Sequence, residues 1–408
     1  MNKLFDHLVV VALTAMPGLQ RVLAIWLIAR ISGVEILGRV ASDLGVIAII
    51  GSFTAIGWSA VLMIRLPRIR PTRQVQMFLG ILLRAGMLNL LASPILWGLA
   101  IYGIVFSWMG SALYLGSWSG YQLVRHYGLA KKLYVPLLIV DTLCTTMTIL
   151  MLLFSANDEL WVYTALSLPP LAVTIVLLLH SLYKTRLNGL NAFTQLRDVW
   201  RSSQGLGLSN AMTGSLGAAM TPLIRFAAGD MYAGVMAIIQ SIVSALLLFP
   251  RALSFQQLVP LTQAVGKRDW TAVRTRIRDF RRHVLIILLL LSVVISIAWF
   301  AGIYRVYMLD ETVQFLHLAF LVSLAGFFVS QLVLPEANLL TALEEIGAKM
   351  KVNFFSMASF IAGIVFIVNM NATNEIAFIR LLFAYFFSIC VVSVGTVYIS
   401  NKILIRFT

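Results

Sequence analysis

The chain has 408 residues, of which 60% are hydrophobic and 12% charged, and its formal net charge is +15. Soluble domains carry about 25% charged residues, so a fold surrounded by water alone is excluded and part of the solvent must be lipid. The two isolated cysteines, Cys144 and Cys390, exclude a disulfide framework and a cysteine-based metal site.

Apolar segments of about 20 residues predict an all-α polytopic membrane protein with twelve transmembrane helices. A polar connector at 185–203 separates an N-terminal half of six helices, residues 1–184, from a C-terminal half of six, residues 204–408. Halves of equal orientation predict a parallel repeat around a central cavity. The predicted spans are 8–30, 43–64, 76–96, 98–123, 132–154, 160–182, 204–227, 231–255, 283–303, 313–335, 352–370 and 376–400.

The charges of the loops predict the orientation of the chain. Alternate loops are short and poor in Lys and Arg, whereas the others are basic, most of all the segment 266–283. Positive loops stay cytoplasmic, so we expect both termini on the cytoplasmic side of the membrane. This distribution explains most of the net charge, so we expect no nucleic-acid partner. The basic segment is predicted to act as a topology signal or, alternatively, as a surface helix that meets anionic lipid.

Arginines inside the predicted spans indicate an anionic substrate. A charge at the bilayer centre costs about 2.5–3.5 kcal/mol and usually faces a cavity. Embedded acids are fewer, and arginine offers phosphate a planar fork of donors. Structural ion pairs and snorkelling are the alternatives, above all near helix ends. The candidates for a cationic lumen are Gln20, Arg21, Arg30, Arg84, Arg225, Arg251 and Arg380.

Two further sets of candidates lie in the spans. Asp141 shares a helix face with Thr145 and Thr148, as expected of a proton or sodium coupling site, an arginine partner or interhelical hydrogen bonding. Asp43 is a second coupling candidate. Aromatic residues of the fourth span are candidates for sugar contact, with an interfacial belt as the alternative: Trp108, Tyr114 and Trp118.

No nucleophile elbow, phosphate-binding glycine loop or carboxylate pair occurs, so we expect no enzyme, no resident metal and no cofactor beyond a coupled H⁺ or Na⁺. The two halves show weak self-similarity. In each, an arginine is followed by two glycines that lie five residues apart: Arg30, Gly33 and Gly38, then Arg225, Gly229 and Gly234.

These segments carry a resemblance to a known family. Residues 27–68, with the turn Gly33, Glu35 and Gly38, and residues 227–278, with Pro250 and Pro260, resemble Wzx-type polysaccharide flippases. That family belongs to the superfamily of the lipid II flippase and the MATE drug exporters. In the lipid II flippase a first-helix arginine lines a cationic cavity, and Arg21 occupies a comparable place. A second cavity arginine of that family has only Arg30 as its counterpart.

The resemblance implies transport of an undecaprenyl-pyrophosphate-linked oligosaccharide, such as an O-antigen repeat unit for lipopolysaccharide biosynthesis. It also implies association with polysaccharide polymerase and chain-length proteins. A MATE-like small-molecule exporter is the alternative within transport, and its frequently cationic substrates fit an arginine-rich lumen poorly. A polytopic O-antigen polymerase or ligase is the enzymatic alternative, and the short loops of this chain count against it.

Overall fold

The computed structural model describes residues 3–66, 71–154, 158–185, 197–246, 248–307, 309, 315–343, 345–368 and 373–406. Throughout these ranges the secondary structure is helical, and no strand occurs in them. Eight of the described helical segments are long and apolar enough to cross a membrane. The predicted all-α, multi-pass membrane fold is therefore confirmed, whereas the arrangement of twelve spans in two sixes stays a prediction.

In the first part of the chain, before the segment 186–196 that lies outside the described residues, the described residues form seven α-helices and one π-helical turn. The turn, Ser52–Ile56, joins α2 to α3 without a break. The helices are α1 Lys3–Ser32, α2 Val34–Gly51, α3 Gly57–Arg65, α4 Pro71–Ile101, α5 Trp108–Ala130, α6 Tyr134–Leu153 and α7 Glu159–Thr185.

The second part begins at Arg197. A short 3₁₀ helix, Ile303–Tyr307, follows α11. The α-helices are α8 Arg197–Ala228, α9 Asp230–Ala245, α10 Leu248–Gly266, α11 Trp270–Phe300, α12 Leu316–Leu332, α13 Leu334–Ala342, α14 Ile346–Val368 and α15 Asn374–Arg406.

Several predicted boundaries are wrong. The fourth span was expected from residue 98, but its helix, α5, starts at Trp108. The second span was expected from residue 43, but its helix starts at Val34, because Glu35, Arg39 and Asp43 are helical and the last two find ionic partners. The basic segment 266–283 was expected as a loop or a separate surface helix. Residues 270–283 instead form the first turns of α11, which then continues through the apolar sequence to Phe300.

The two self-similar segments meet in space. Gly33 and Gly229 have positive φ angles of 91° and 97°, which glycine adopts without steric cost, and each directly precedes a helix. These two helices, α2 and α9, then cross at Gly38 and Gly234. A Cβ atom on Gly38 would overlap the carbonyl oxygen of Asp230, and one on Gly234 would overlap that of Val34. The two parts of the chain therefore touch backbone to backbone at this crossing.

The contact between the two parts continues along α8. A Cβ atom on Gly45 of α2 would overlap the carbonyl oxygen of Ala218, and one on Gly57 of α3 that of Ser203. In the opposite direction, a Cβ on Gly207 would lie 2.8 Å from the carbonyl oxygen of Ser52. We call the end of the bundle at which α1 passes into α2 the Gly33 end.

Alanine at the helix crossing should disturb the fold. We expect Gly234→Ala to lower the free energy of unfolding by about 1–3 kcal/mol, the usual cost of overpacking, because the Val34 carbonyl is backbone and cannot rotate away. Thermal unfolding in detergent measures the effect. Gly86→Ala is the matched control, because Gly86 is a helical glycine with open space around its Cβ position. Equal melting temperatures for the two variants would show that the crossing tolerates a methyl group.

Candidate functional site: an ion network at the Gly33 end and an arginine in the interior

Five charged residues form an ion network at the Gly33 end. Asp230 is central: its Oδ2 lies 2.6 Å from Nε of Arg39, and its Oδ1 lies 2.8 Å from Nε of Arg225. Arg39 extends the network to Glu159 at 2.9 Å, and Arg225 extends it to Asp43 at 3.7 Å. Arg39, Asp43 and Glu159 belong to the first part of the chain, and Arg225 and Asp230 to the second. We call this set the Asp230 network.

Asp43 is the most enclosed member of the network, with none of its surface exposed. Its carboxylate accepts hydrogen bonds from the backbone N–H groups of Phe106 and Ser107, at 2.8 and 2.9 Å. The hydroxyls of Ser111 and Tyr163 donate to it at 3.1 and 2.6 Å. Asp43 therefore anchors the start of α5. This observation favours a structural role over the predicted coupling role, because all four donors hold one carboxylate.

The Phe106 ring adds a second layer to the network. The guanidinium carbons of Arg39 and Arg225 lie 5.0 and 5.5 Å from its centroid, within the range of cation–π attraction. Arg225, predicted to be a lumen cation, is thus engaged by two carboxylates, a ring and the Ile104 carbonyl. The expectation of an unpaired charge is corrected for this residue. Asp230 lies only five residues after Arg225, whereas Asp43 comes from a distant part of the sequence, and that second pairing was hidden.

Arg21 has the opposite environment. Its side chain is exposed by accessible area, although protein closely surrounds it. That combination is expected of a side chain on the wall of an interior cavity. Its electrostatic neighbour is Tyr114 of α5, and no described carboxylate forms an ion pair with it. Arg21 therefore carries a positive charge that the described part of the protein does not neutralise.

The neighbour of Arg21 in sequence supports α1 on α6. The Gln20 amide donates to the Thr148 hydroxyl at 3.2 Å, so the α1 segment that carries Arg21 is fixed against α6. Tyr114 is half-buried and packs between two hydrophobic clusters. Gln20, next to Arg21 in sequence, is thus held by a hydrogen bond, and Tyr114, next to Arg21 in space, is held by packing.

Asp141 has partners within the first part of the chain. Its carboxylate accepts from the Tyr121 hydroxyl and lies 3.1 Å from Nε of Arg125. Arg125 also donates to the Leu13 carbonyl of α1. Thr145 and Thr148 share the buried face of α6, as their spacing predicts, but their hydroxyls donate to carbonyls of their own helix. Asp141 is thus an arginine partner that links α5, α6 and α1.

The remaining candidate arginines lie on four different helices. Arg30 is exposed, with its guanidinium 5.7 Å from the Trp26 ring. Arg84 is half-buried on α4. Arg251 lies on α10, and its side chain is outside the described residues. Arg380 is half-buried on α15, and its Nη1 is enclosed without a hydrogen-bond partner among the described atoms.

The aromatic candidates for sugar contact are dispersed along α5. Trp108 is exposed at its first residue, next to the N-cap Ser107. A Cβ atom on Gly51 would collide with the Trp118 ring, so Trp118 packs against the end of α2. Of the three, only Tyr114 neighbours Arg21 in the described contacts.

Sequence reasoning did not predict Arg39 and Glu159 of the Asp230 network, nor Tyr163, which donates to Asp43. Tyr163 was not singled out, and its spacing in α7 carries no distinguishing signal. Arg39 was noticed only within the self-similar segment. A charged residue directly after the crossing glycine Gly38, inside an apolar run, was the available signal.

No protein-family profile matches the chain, and no curated protein sequence shows significant similarity to it. Its fold, however, is similar to solved transporters. An inward-facing MATE-family multidrug resistance transporter of the MOP superfamily superimposes with a TM-score of 0.69 at 13% identity, with 98% of each chain covered. An outward-facing MATE-family multidrug resistance transporter of the MOP superfamily superimposes with a TM-score of 0.61 at 12% identity, with 98% of this chain and 95% of the other covered.

A third similar structure is a MOP superfamily transporter from Pyrococcus furiosus, described as having a binding pocket of reverse polarity. It superimposes with a TM-score of 0.62 at 13% identity, covering 98% of this chain and 95% of the other. The fold is therefore that of MATE-like transporters of the MOP superfamily, in a multi-pass membrane protein.

Proposed function

We propose that the chain is an alternating-access transporter that moves an anionic amphiphile across the bacterial inner membrane. In this proposal residues 1–184 and 204–408 are halves of six spans each, joined by 185–203. The Gly33 end faces outward and both termini are cytoplasmic, in agreement with the positive-inside pattern of the loops. The MATE-like fold and the contact between α2 and α9 support the proposal.

We assign the conformation as closed to the outside and open to the cytoplasm. The Asp230 network and the glycine crossing join the two parts of the chain at the Gly33 end. The higher TM-score against the inward-facing transporter, 0.69 against 0.61 for the outward-facing one, agrees with this assignment. Transport then requires the network to part so that the cavity opens outward.

The choice of cargo rests on the environment of Arg21. A guanidinium with no carboxylate partner in the described residues repels a cation and attracts phosphate. The Pyrococcus transporter supports such a change of polarity within this fold. An undecaprenyl-pyrophosphate-linked oligosaccharide fits the charge, and the resemblance to Wzx-type flippases points to the same cargo. Its headgroup would enter the cavity while the lipid tail stays in the membrane.

Small-molecule export is the second candidate. The similarity to transporters described as multidrug proteins favours it, and this similarity extends over 98% of the chain. Because the Arg21 charge disfavours cationic drugs, anionic or neutral molecules are the better cargo for an exporter of this kind. In both candidates the chain carries out no covalent chemistry, and polymerase or chain-length proteins are partners of the flippase only.

Deletion of the gene in its bacterial host separates the two candidates. A flippase predicts loss of surface polysaccharide and accumulation of its lipid-linked precursor on the cytoplasmic side, both restored by the wild-type chain. An exporter predicts normal polysaccharide and increased sensitivity to exported compounds. Unchanged polysaccharide together with unchanged sensitivity to a broad panel would contradict the transport proposal.

Asp141 is the proposed coupling residue, because it is a buried carboxylate whose arginine and tyrosine partners join three helices. Protonation or cation binding would change its pairing with Arg125 and thereby the packing of α1, which carries Arg21. Transport in vesicles with an imposed proton or sodium gradient tests this. Asp141→Asn should remove the stimulation by the gradient, and stimulation equal to that of the wild type would exclude Asp141 as the coupling site.

A further inference from the structure

A stripe of three arginines runs along the first turns of α11. Arg274, Arg278 and Arg282 follow one another at intervals of four residues, so they lie on one side of the helix. All three side chains are exposed. We call these residues the arginine stripe. The helix continues without interruption from the stripe into the apolar sequence 284–300.

The stripe lies on the helix side that faces lipid further along. Leu285, Leu289 and Val293 continue the same side of α11 and are 38%, 50% and 56% exposed. On another side, α11 buries residues that pack against the rest of the protein: Val273, Ile277, Phe280, Val284 and Leu288. Since α11 is one helix, the arginines and the lipid-facing leucines point in the same direction, away from the bundle.

The axial position of the stripe matches the headgroup layer. The apolar run 284–300 spans about 25 Å at 1.5 Å per residue, close to the roughly 30 Å of a hydrocarbon core. Arg282 and Arg278 therefore lie within about 10 Å of its boundary, where lipid phosphates are found. Arg274 lies about 6 Å further out, still within a Debye length of the surface.

The charges of the stripe are available for a ligand. No described carboxylate lies within ion-pair distance of Arg274, Arg278 or Arg282. By contrast, the neighbouring Arg281 is paired with Glu336 of α13. Arg281 therefore attaches α11 to the rest of the protein, whereas the three arginines of the stripe face the membrane.

We propose that the arginine stripe is a binding surface for anionic phospholipid headgroups of the adjacent, cytoplasmic leaflet. Guanidinium groups bind phosphate oxygens bidentately, and each basic residue near an anionic bilayer surface strengthens the attraction. The surface lies outside the proposed cargo site at Arg21 and does not depend on what the protein transports. It also differs from a surface helix lying flat on the membrane, since α11 enters the bilayer.

Lipid retention tests the proposal. The full-length protein is purified from a mixture of phosphatidylglycerol and phosphatidylcholine, and the retained lipids are counted by native mass spectrometry. The variant Arg274→Gln/Arg278→Gln/Arg282→Gln should lower the ratio of retained phosphatidylglycerol to phosphatidylcholine about tenfold or more. The matched control Lys267→Gln/Arg268→Gln/Arg276→Gln also removes three exposed charges, from the preceding turn and from the opposite side of α11.

The control variant should keep the wild-type ratio within about twofold. An equal loss in both triple variants would overturn the proposal, because net charge alone would then explain retention. An unchanged ratio in the stripe variant would overturn it as well. The single variant Arg278→Gln, expected to lower the ratio about threefold to fivefold, gives the same decision if the triple variant does not fold.

Discussion

Arg21→Ala should reduce transport by about 10- to 100-fold at normal protein abundance, and Arg21→Lys should restore part of it. The loss corresponds to one or two charge-assisted hydrogen bonds to the cargo phosphate. Lysine keeps the charge but not the planar fork, so its rescue is incomplete. Complementation of the deletion strain, scored by surface polysaccharide or export with protein level determined by immunoblot, measures both variants.

Arg276→Ala is the control for charge removal, because Arg276 is exposed on α11, far from α1 in sequence, and lies off the arginine stripe. It should transport at the wild-type level. Full activity of both Arg21 variants would contradict an anionic cargo site at Arg21. Loss of activity in Arg21→Lys as complete as in Arg21→Ala would show that geometry, beyond charge, is essential at this position.

Asp230→Asn should favour the outward-open state. The substitution weakens both short ion pairs of the Asp230 network, and the remaining Arg39–Glu159 pair lies within one part of the chain. The Arg225–Asp43 pair, at 3.7 Å, is then the remaining ionic link between the two parts in this network. A cost of about 1.5 kcal/mol to the closed state would raise the outward-open population about tenfold.

A cysteine at position 42 reports the opening. Ser42 is fully buried and shares the α2 face of Gly38 and Gly45, which contacts the second part of the chain. In a Cys144→Ser/Cys390→Ser background, Ser42→Cys should react slowly with a membrane-impermeant maleimide added outside, and about tenfold faster with Asp230→Asn. Asp279→Asn removes an exposed carboxylate and should leave the rate unchanged. An unaltered rate with Asp230→Asn would mean that the network does not hold the outer end closed.

Much of the fold class follows from the sequence for a simple reason. In lipid each backbone group must bond within its own helix, so long apolar segments specify helices without knowledge of their neighbours. The paired glycines of the two self-similar segments were visible as well, since a glycine before a helix and another five residues later is a local pattern. That these glycines touch across α2 and α9 was not visible, because contact depends on how two distant helices cross.

For the charged residues too, some features follow from the sequence and others only from the tertiary structure. The sequence by itself determined that arginines outnumber acids inside the apolar segments and that Arg21 stands apart from any acid in its own helix. Only the tertiary structure decided that Arg225 is bound by the distant Asp43 as well as by the nearby Asp230, while Arg21 has no described carboxylate partner. The physical reason is the short range of ionic contacts: a few ångströms decide whether a guanidinium is neutralised, and residues 43 and 225 reach that distance only when α2 packs against α8 and α9.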